Sequence, residues 1–143
     1  VLATAICASL LAQLINVILN LFIFHRFIAE RMWGAGGMPS SHSATVCAMV
    51  VATGRYCGVN SPIFAIAAVL SIIVMYDAMG VRYETGEQAK VLNRMFTEWM
   101  DQGFEQFQLP HGKKLKEMVG HTPIEVVTGA ALGIVLGFAM PMM

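Results

Sequence analysis

From Val1 to Phe24 the chain carries no charged residue. A helix rising about 1.5 Å per residue crosses a bilayer's hydrocarbon in roughly 20 residues, so this stretch is long enough to span. The alternative home for such a run is the middle of a large soluble core, and the rest of the sequence argues against it. Only 13% of residues are charged, about half of what soluble domains carry. Six of the nine basic and six of the nine acidic residues also fall between Val81 and His121. Long apolar runs broken by one charged excursion describe a single integral membrane domain, residues 1–143.

Three further apolar stretches follow: Ser41 to Tyr56, which is marginal in length, Ser61 to Val81 with only Asp77 charged, and Val126 to Met143 with no charge. Glu84 to Phe107 mixes Val91, Leu92, Met95, Phe96 and Trp99 with charges, the pattern of an amphipathic helix lying at the interface. The expected fold is therefore all-α, a bundle of about four transmembrane helices plus one interfacial helix. Gly129, Gly133 and Gly137 recur at four-residue spacing, a small-residue face for close helix contact. Cys7, Cys47 and Cys57 are odd in number and have no metal-ligand spacing, so they read as packing residues. Residues 1–24 are too long and too uncharged at the front for a signal peptide. Val1 in place of an initiator Met leaves room for a removed leader.

Counting Lys and Arg sets the expected topology. If all four apolar stretches cross, loops 25–40 and 81–121 share one side, which holds Arg26, Arg31, Arg82, Lys90, Arg94, Lys113, Lys114 and Lys116; Arg55 stands alone opposite. The positive-inside rule puts the first group on the cytoplasmic or equivalent side. A re-entrant second stretch would separate the two polar motifs described next.

Those motifs are GGMPSSHS, Gly36 to Ser43, and GHTPIEV, Gly120 to Val126. Each puts a histidine at an expected helix start, where free N–H groups and the dipole favour anions. In the first, Ser40 and Ser41 are N-cap candidates after Pro39. They and the adjoining N–H groups would hold phosphoryl oxygens while His42 moves a proton. The bland alternative is a capped helix with an interfacial histidine. In the second, Thr122, Pro123 and Glu125 compose a capping box, and Glu125 can also orient His121. Gln13, Asn16 and Asn20 share one face of the first helix, as interhelical hydrogen-bonding groups or as a polar wall of a site. Asp77 and Arg82 suggest a local ion pair or, for Arg82, a phosphate clamp. Lys113, Lys114 and Lys116 suit anionic headgroups or a substrate phosphate.

Together AQLIN near Gln13, GGMPSSHSA, YDAMGVR followed by GEQAKVLN, and LKEMVGHTPIEVVTGAALG resemble the type 2 phosphatidic acid phosphatase (PAP2) superfamily. More narrowly they resemble its divergent branch related to acid phosphatases and vanadium-dependent haloperoxidases. The superfamily's Pro-Ser-Gly-His motif falls on Pro39, Ser40, Ser41 and His42, and its Arg-x5-His-x3-Asp motif on His121 and Glu125. The resemblance implies a metal-independent phosphatase with no cofactor. In it His121 attacks phosphorus to give a phosphohistidine, His42 protonates the leaving oxygen, and Glu125 supports His121. Ser40, Ser41, Arg82, Lys114, Lys116 and Asn16 would surround the phosphate. The sequence departs from the pattern at four positions: Ser41 stands for Gly, Glu125 for Asp, Leu115 where the third-motif arginine falls, and Asn16 where the branch carries a lysine.

Two functions follow from this. One is hydrolysis of a lipid phosphate or pyrophosphate. The other is a catalytically impaired relative serving as a structural or accessory subunit of a larger membrane complex. Expected partners are membrane lipids and the lipid phosphate itself, with a homo-oligomer or larger complex left open and no nucleic acid. The expected location is a bacterial inner membrane or an organellar one such as a plastid's.

Overall fold

Water drives large side chains inward, but lipid does not, and the chain is built the second way round. Its core is alanine: Ala8, Ala12, Ala44 and Ala48, with Leu132 and Leu136 packed against them. The large apolar residues face out, among them Leu10, Leu14, Ile63, Ile66, Ile72, Val127 and Val135. Close approach through small residues, with bulky ones left to the surroundings, is how helices associate where no hydrophobic drive exists between them.

The computed structural model describes residues 1–24, 37–103, 114–117 and 119–141, and within them it is all-helical with no strand. Five helices follow in order: α1 Leu2–Phe24, α2 Ser41–Cys57, α3 Pro62–Met79, α4 Val81–Asp101 and α5 Pro123–Ala139. Arg26, Arg31 and Lys113, which entered the topology count, lie outside the described residues. Two helical stretches are long and apolar enough to cross a membrane: Leu2–Phe22, and one within Pro62–Asp101. The expectation was about four. The two others, α2 and α5, have 17 residues each, or roughly 25 Å at 1.5 Å per residue, somewhat short of a typical hydrocarbon thickness.

The glycine face does what its spacing suggests. Side chains at Gly129 and Gly133 would collide with the main chain of Ser40 and Ala44, and one at Gly137 with Val51, so α5 lies directly on α2. At the far end of this pair Arg55 reaches from α2 to the end of α5. Its Nη1 donates to the carbonyls of Gly137, Phe138 and Met140 at 2.7, 3.0 and 2.9 Å. Those are carbonyls a helix end leaves unpaired.

The amphipathic segment is a helix, but it begins at Val81 rather than Glu84 and follows α3 with only Gly80 between them. Val91, Leu92, Met95 and Met100 are exposed along it. Residues 104–107 of the expected segment lie outside the described set. On its other face α4 carries residues 114–117 and 119–121, which run back along it towards α3. Buried Asn93 holds this return: its amide donates to Leu115 O and Glu117 Oε1 at 2.9 and 2.8 Å and accepts from Leu115 N at 2.8 Å. Gly86 admits the carbonyl of Glu117, and Gly120, at φ +87°, admits the backbone of Arg82 and Tyr83. A Cβ would obstruct both approaches.

Candidate functional site

The returning segment ends at His121, whose N–H donates to the Ala78 carbonyl at 3.0 Å. This fixes the residue against the last turn of α3 just before α5 begins. The α5 cap is the expected box: Thr122 accepts from the Glu125 N–H, and Glu125 Oε2 accepts from the Thr122 N–H at 2.9 Å. The same Oε2 lies 3.2 Å from His121 Nδ1. Glu125 thus closes the helix and also meets the imidazole. With a carboxylate at Nδ1 the proton belongs there, which leaves Nε2 as the lone-pair nitrogen. That Nε2 is buried and has no hydrogen-bond partner among the described residues.

The second histidine arrives from α2. Ser40 is the N-cap, its buried hydroxyl accepting from the Ser43 N–H at 3.4 Å and from the Ser43 hydroxyl at 3.2 Å. The Ser40 N–H donates to the Glu125 carbonyl at 2.9 Å, so the two helix starts are joined through their backbones. His42 follows in the first turn of α2, exposed, its ring centroid 5.8 Å from that of His121 at an interplanar angle of 59°.

The two imidazoles open onto a cleft of about 160 Å³ lined also by Ile73, Val74, Asp77, Ala78 and Arg82. Arg82 Nε pairs with Asp77 Oδ2 at 2.7 Å. Here burial pushes the Glu125 carboxyl up, but the His121 ring, the Thr122 N–H and the Gly37 N–H outweigh it. The net effect holds Glu125 below its ordinary range. No cluster that would hold a metal ion occurs among the described residues.

The remaining candidates sit apart from the cleft lining. Ser40 is fully buried in its cap, and Ser41 is half-buried beside it. Lys114 and Lys116 are exposed, on either side of Leu115, and are not among the cleft's walls. Asn16 touches the site at one remove. It accepts from the Asn20 amide at 2.7 Å, and Gly37, at φ +127°, passes so close that any Cβ there would strike the Asn16 side chain. Since the Gly37 N–H serves Glu125, a line of contacts runs from Asn16 through Gly37 and Glu125 to His121.

Sequence reading missed Asn93 and the Gly37 N–H. A lone asparagine amid charges looks like surface, and its partners lie over twenty positions on. A backbone donor leaves no trace in the sequence beyond the glycine itself.

The profile of the divergent PAP2 family matches residues 1–136. The chain is 37% identical over 141 residues to the Uncharacterized membrane protein YuiD of Bacillus subtilis (strain 168), covering 94% of this chain and 89% of that protein. No solved structure matches. With paired histidines at two capped helix starts, an alanine core turned away from bulky outward residues, and a family match over nearly its whole length, the chain belongs to the divergent PAP2 family.

Proposed function

We propose that the protein is a membrane phosphatase acting on a lipid phosphate or pyrophosphate through a phosphohistidine. The observation that carries this is the pair of imidazoles 5.8 Å apart, one with Nδ1 held by Glu125 at 3.2 Å and Nε2 unpartnered among the described residues. In the first step His121 Nε2 attacks phosphorus, and the bond from phosphorus to the leaving oxygen breaks. His42 gives that oxygen a proton. In the second step water attacks the phosphohistidine and passes a proton back to His42, which releases inorganic phosphate and frees His121. Glu125 stabilises the positive charge that the His121 ring gains. Arg82 meets charge on the equatorial oxygens, the larger part of catalysis in phosphoryl transfer.

The apolar wall of Ile73 and Val74 suits a substrate whose leaving group is a hydrocarbon-bearing alcohol. In this reading the apolar parts of α1, α2, α3 and α5 cross the bilayer. The site then faces the cytoplasmic or equivalent side.

One observation favours the second reading, an accessory subunit that kept the fold. Arg82 is the cleft's cation among the described residues, and it is already paired with Asp77; Lys114, Lys116 and Asn16 lie off the cleft. Phosphate release from several lipid phosphates by purified protein, compared with His121→Ala, separates the two. Turnover that vanishes in the variant sustains the phosphatase. An inactive wild type held stably in a complex that His121→Ala leaves intact sustains the subunit.

A further inference from the structure

A carboxylate in the wall of a cleft meant for a dianion is a repulsive element, and Asp77 is such a carboxylate. Its placement is specific. Asp77 sits in the last turn of α3, and Arg82 in the first turn of α4, across Gly80. The contact uses Arg82 Nε at 2.7 Å. A guanidinium offers five N–H donors in a fixed plane. With Nε engaged, the Nη groups remain, and they have no partner among the described residues. Both side chains are partly open to the cleft, Arg82 at 47% and Asp77 at 39%, so the pair's own Coulomb energy is small. Holding a long, flexible side chain in one orientation is the larger effect such a contact can have.

We infer that Asp77 is a positioning residue for Arg82, holding Nε so that the two Nη groups face a phosphoryl group's oxygens as a fork. The inference rests on the phosphatase reading of the same cleft and adds a requirement to it. Charge and orientation then predict opposite outcomes for one substitution. Asp77→Asn removes a negative charge beside the anion site, and electrostatics alone makes phosphate bind more tightly. Loss of the fork makes it bind more weakly.

The test is titration of the full chain, purified in detergent, with inorganic phosphate, followed by calorimetry beside lipid-phosphate kinetics. Asp77→Asn is expected to weaken phosphate binding about tenfold, the equivalent of one oriented charge-assisted hydrogen bond, and to raise KM more than it lowers kcat. Asp77→Glu restores most of the affinity. In an Arg82→Lys background, which keeps the charge and loses the fork, Asp77→Asn no longer weakens binding and shows only the slight tightening that removing its negative charge brings. If Asp77→Asn does not fold, Asp77→Ser with and without Arg82→Lys completes the same cycle. Equal or tighter binding in Asp77→Asn overturns the inference, as do additive effects in the double variant or a wild type that binds no phosphate. Wild-type binding that weakens in Asp77→Asn, without turnover of any lipid phosphate, upholds the positioning role and sinks the phosphatase reading instead.

Discussion

His42 and His121 lie far apart in the sequence, yet their ring centroids stand 5.8 Å apart, each in or just before the first turn of a side-chain-capped helix. Neither helix start holds its histidine alone: Ser40 N–H donates to the Glu125 carbonyl, and His121 N–H to that of Ala78.

His121→Ala is expected to abolish phosphate release, and His42→Ala to lower it by about 10²- to 10⁴-fold, the usual contribution of a positioned general acid. The two variants differ in one respect. On a phosphate ester whose leaving group needs no proton, such as a nitrophenyl ester, His42→Ala recovers the first step and gives a burst of nitrophenolate followed by slow turnover, because water attack still lacks its base, whereas His121→Ala gives no burst. Rapid-quench detection of an acid-labile, base-stable phosphoprotein in wild type but not in His121→Ala checks the intermediate.

Glu125 gives the pH dependence a definite sign. Its carboxyl is held below the ordinary range, so its contribution to stability is present above the unfolded value and is lost as pH falls through the folded one. Wild type is expected to lose thermal stability on acidification below about pH 4.3, and Glu125→Gln to be less stable at neutral pH but flatter across that window. Thermal unfolding in detergent at a series of pH values measures it. A wild-type curve no steeper than the variant's contradicts the assignment.

Gly133→Ala places a methyl where the Ala44 carbonyl lies, and Gly129→Ala places one against Ser40. Each is expected to cost about 1–3 kcal/mol, as overpacking does. The Gly129 variant is expected also to lower activity beyond its loss of stability, because Ser40 leads directly into His42. Unfolding and phosphate release measured on the same samples separate the two effects.

Arg55→Ala removes a side chain that bonds three carbonyls at the end of α5. A loss of about 1–2 kcal/mol is expected, with KM unchanged, since the residue is at the opposite end of the bundle from the cleft. A shift in KM comparable to the loss in stability contradicts a purely capping role.

Cysteine placed at exposed Lys116, after Cys7, Cys47 and Cys57 have been replaced, is expected to resist an impermeant thiol reagent added outside intact, correctly oriented membranes. It is expected to react once they are opened. Labelling from outside reverses the proposed orientation.

The elements legible in the sequence are those governed by neighbours within one helical turn. The Thr122–Glu125 box, an N-cap at Ser40 or Ser41 and the glycine face of α5 each follow from spacing alone, and each is present, the cap at Ser40. The alanine core was hidden, because alanine marks no face by itself; only the outward bulk of Ile63, Ile66 and Val127 defines it. The Asn93 clasp and the Arg55 cap were hidden for a different reason. Both join side chains to main-chain groups many residues away, where sequence carries no signal of the partner. Lys114 and Lys116 were placed near the phosphate on proximity to His121. The extended return leaves them exposed and off the cleft lining.

The bond from Ser40 N–H to the Glu125 carbonyl is between main-chain atoms. Side chains nearby can therefore drift without loosening the scaffold. Replacing Asn16, Lys114 or Lys116 then leaves the two histidines in register, so the frame that pairs them is separable from the groups around it.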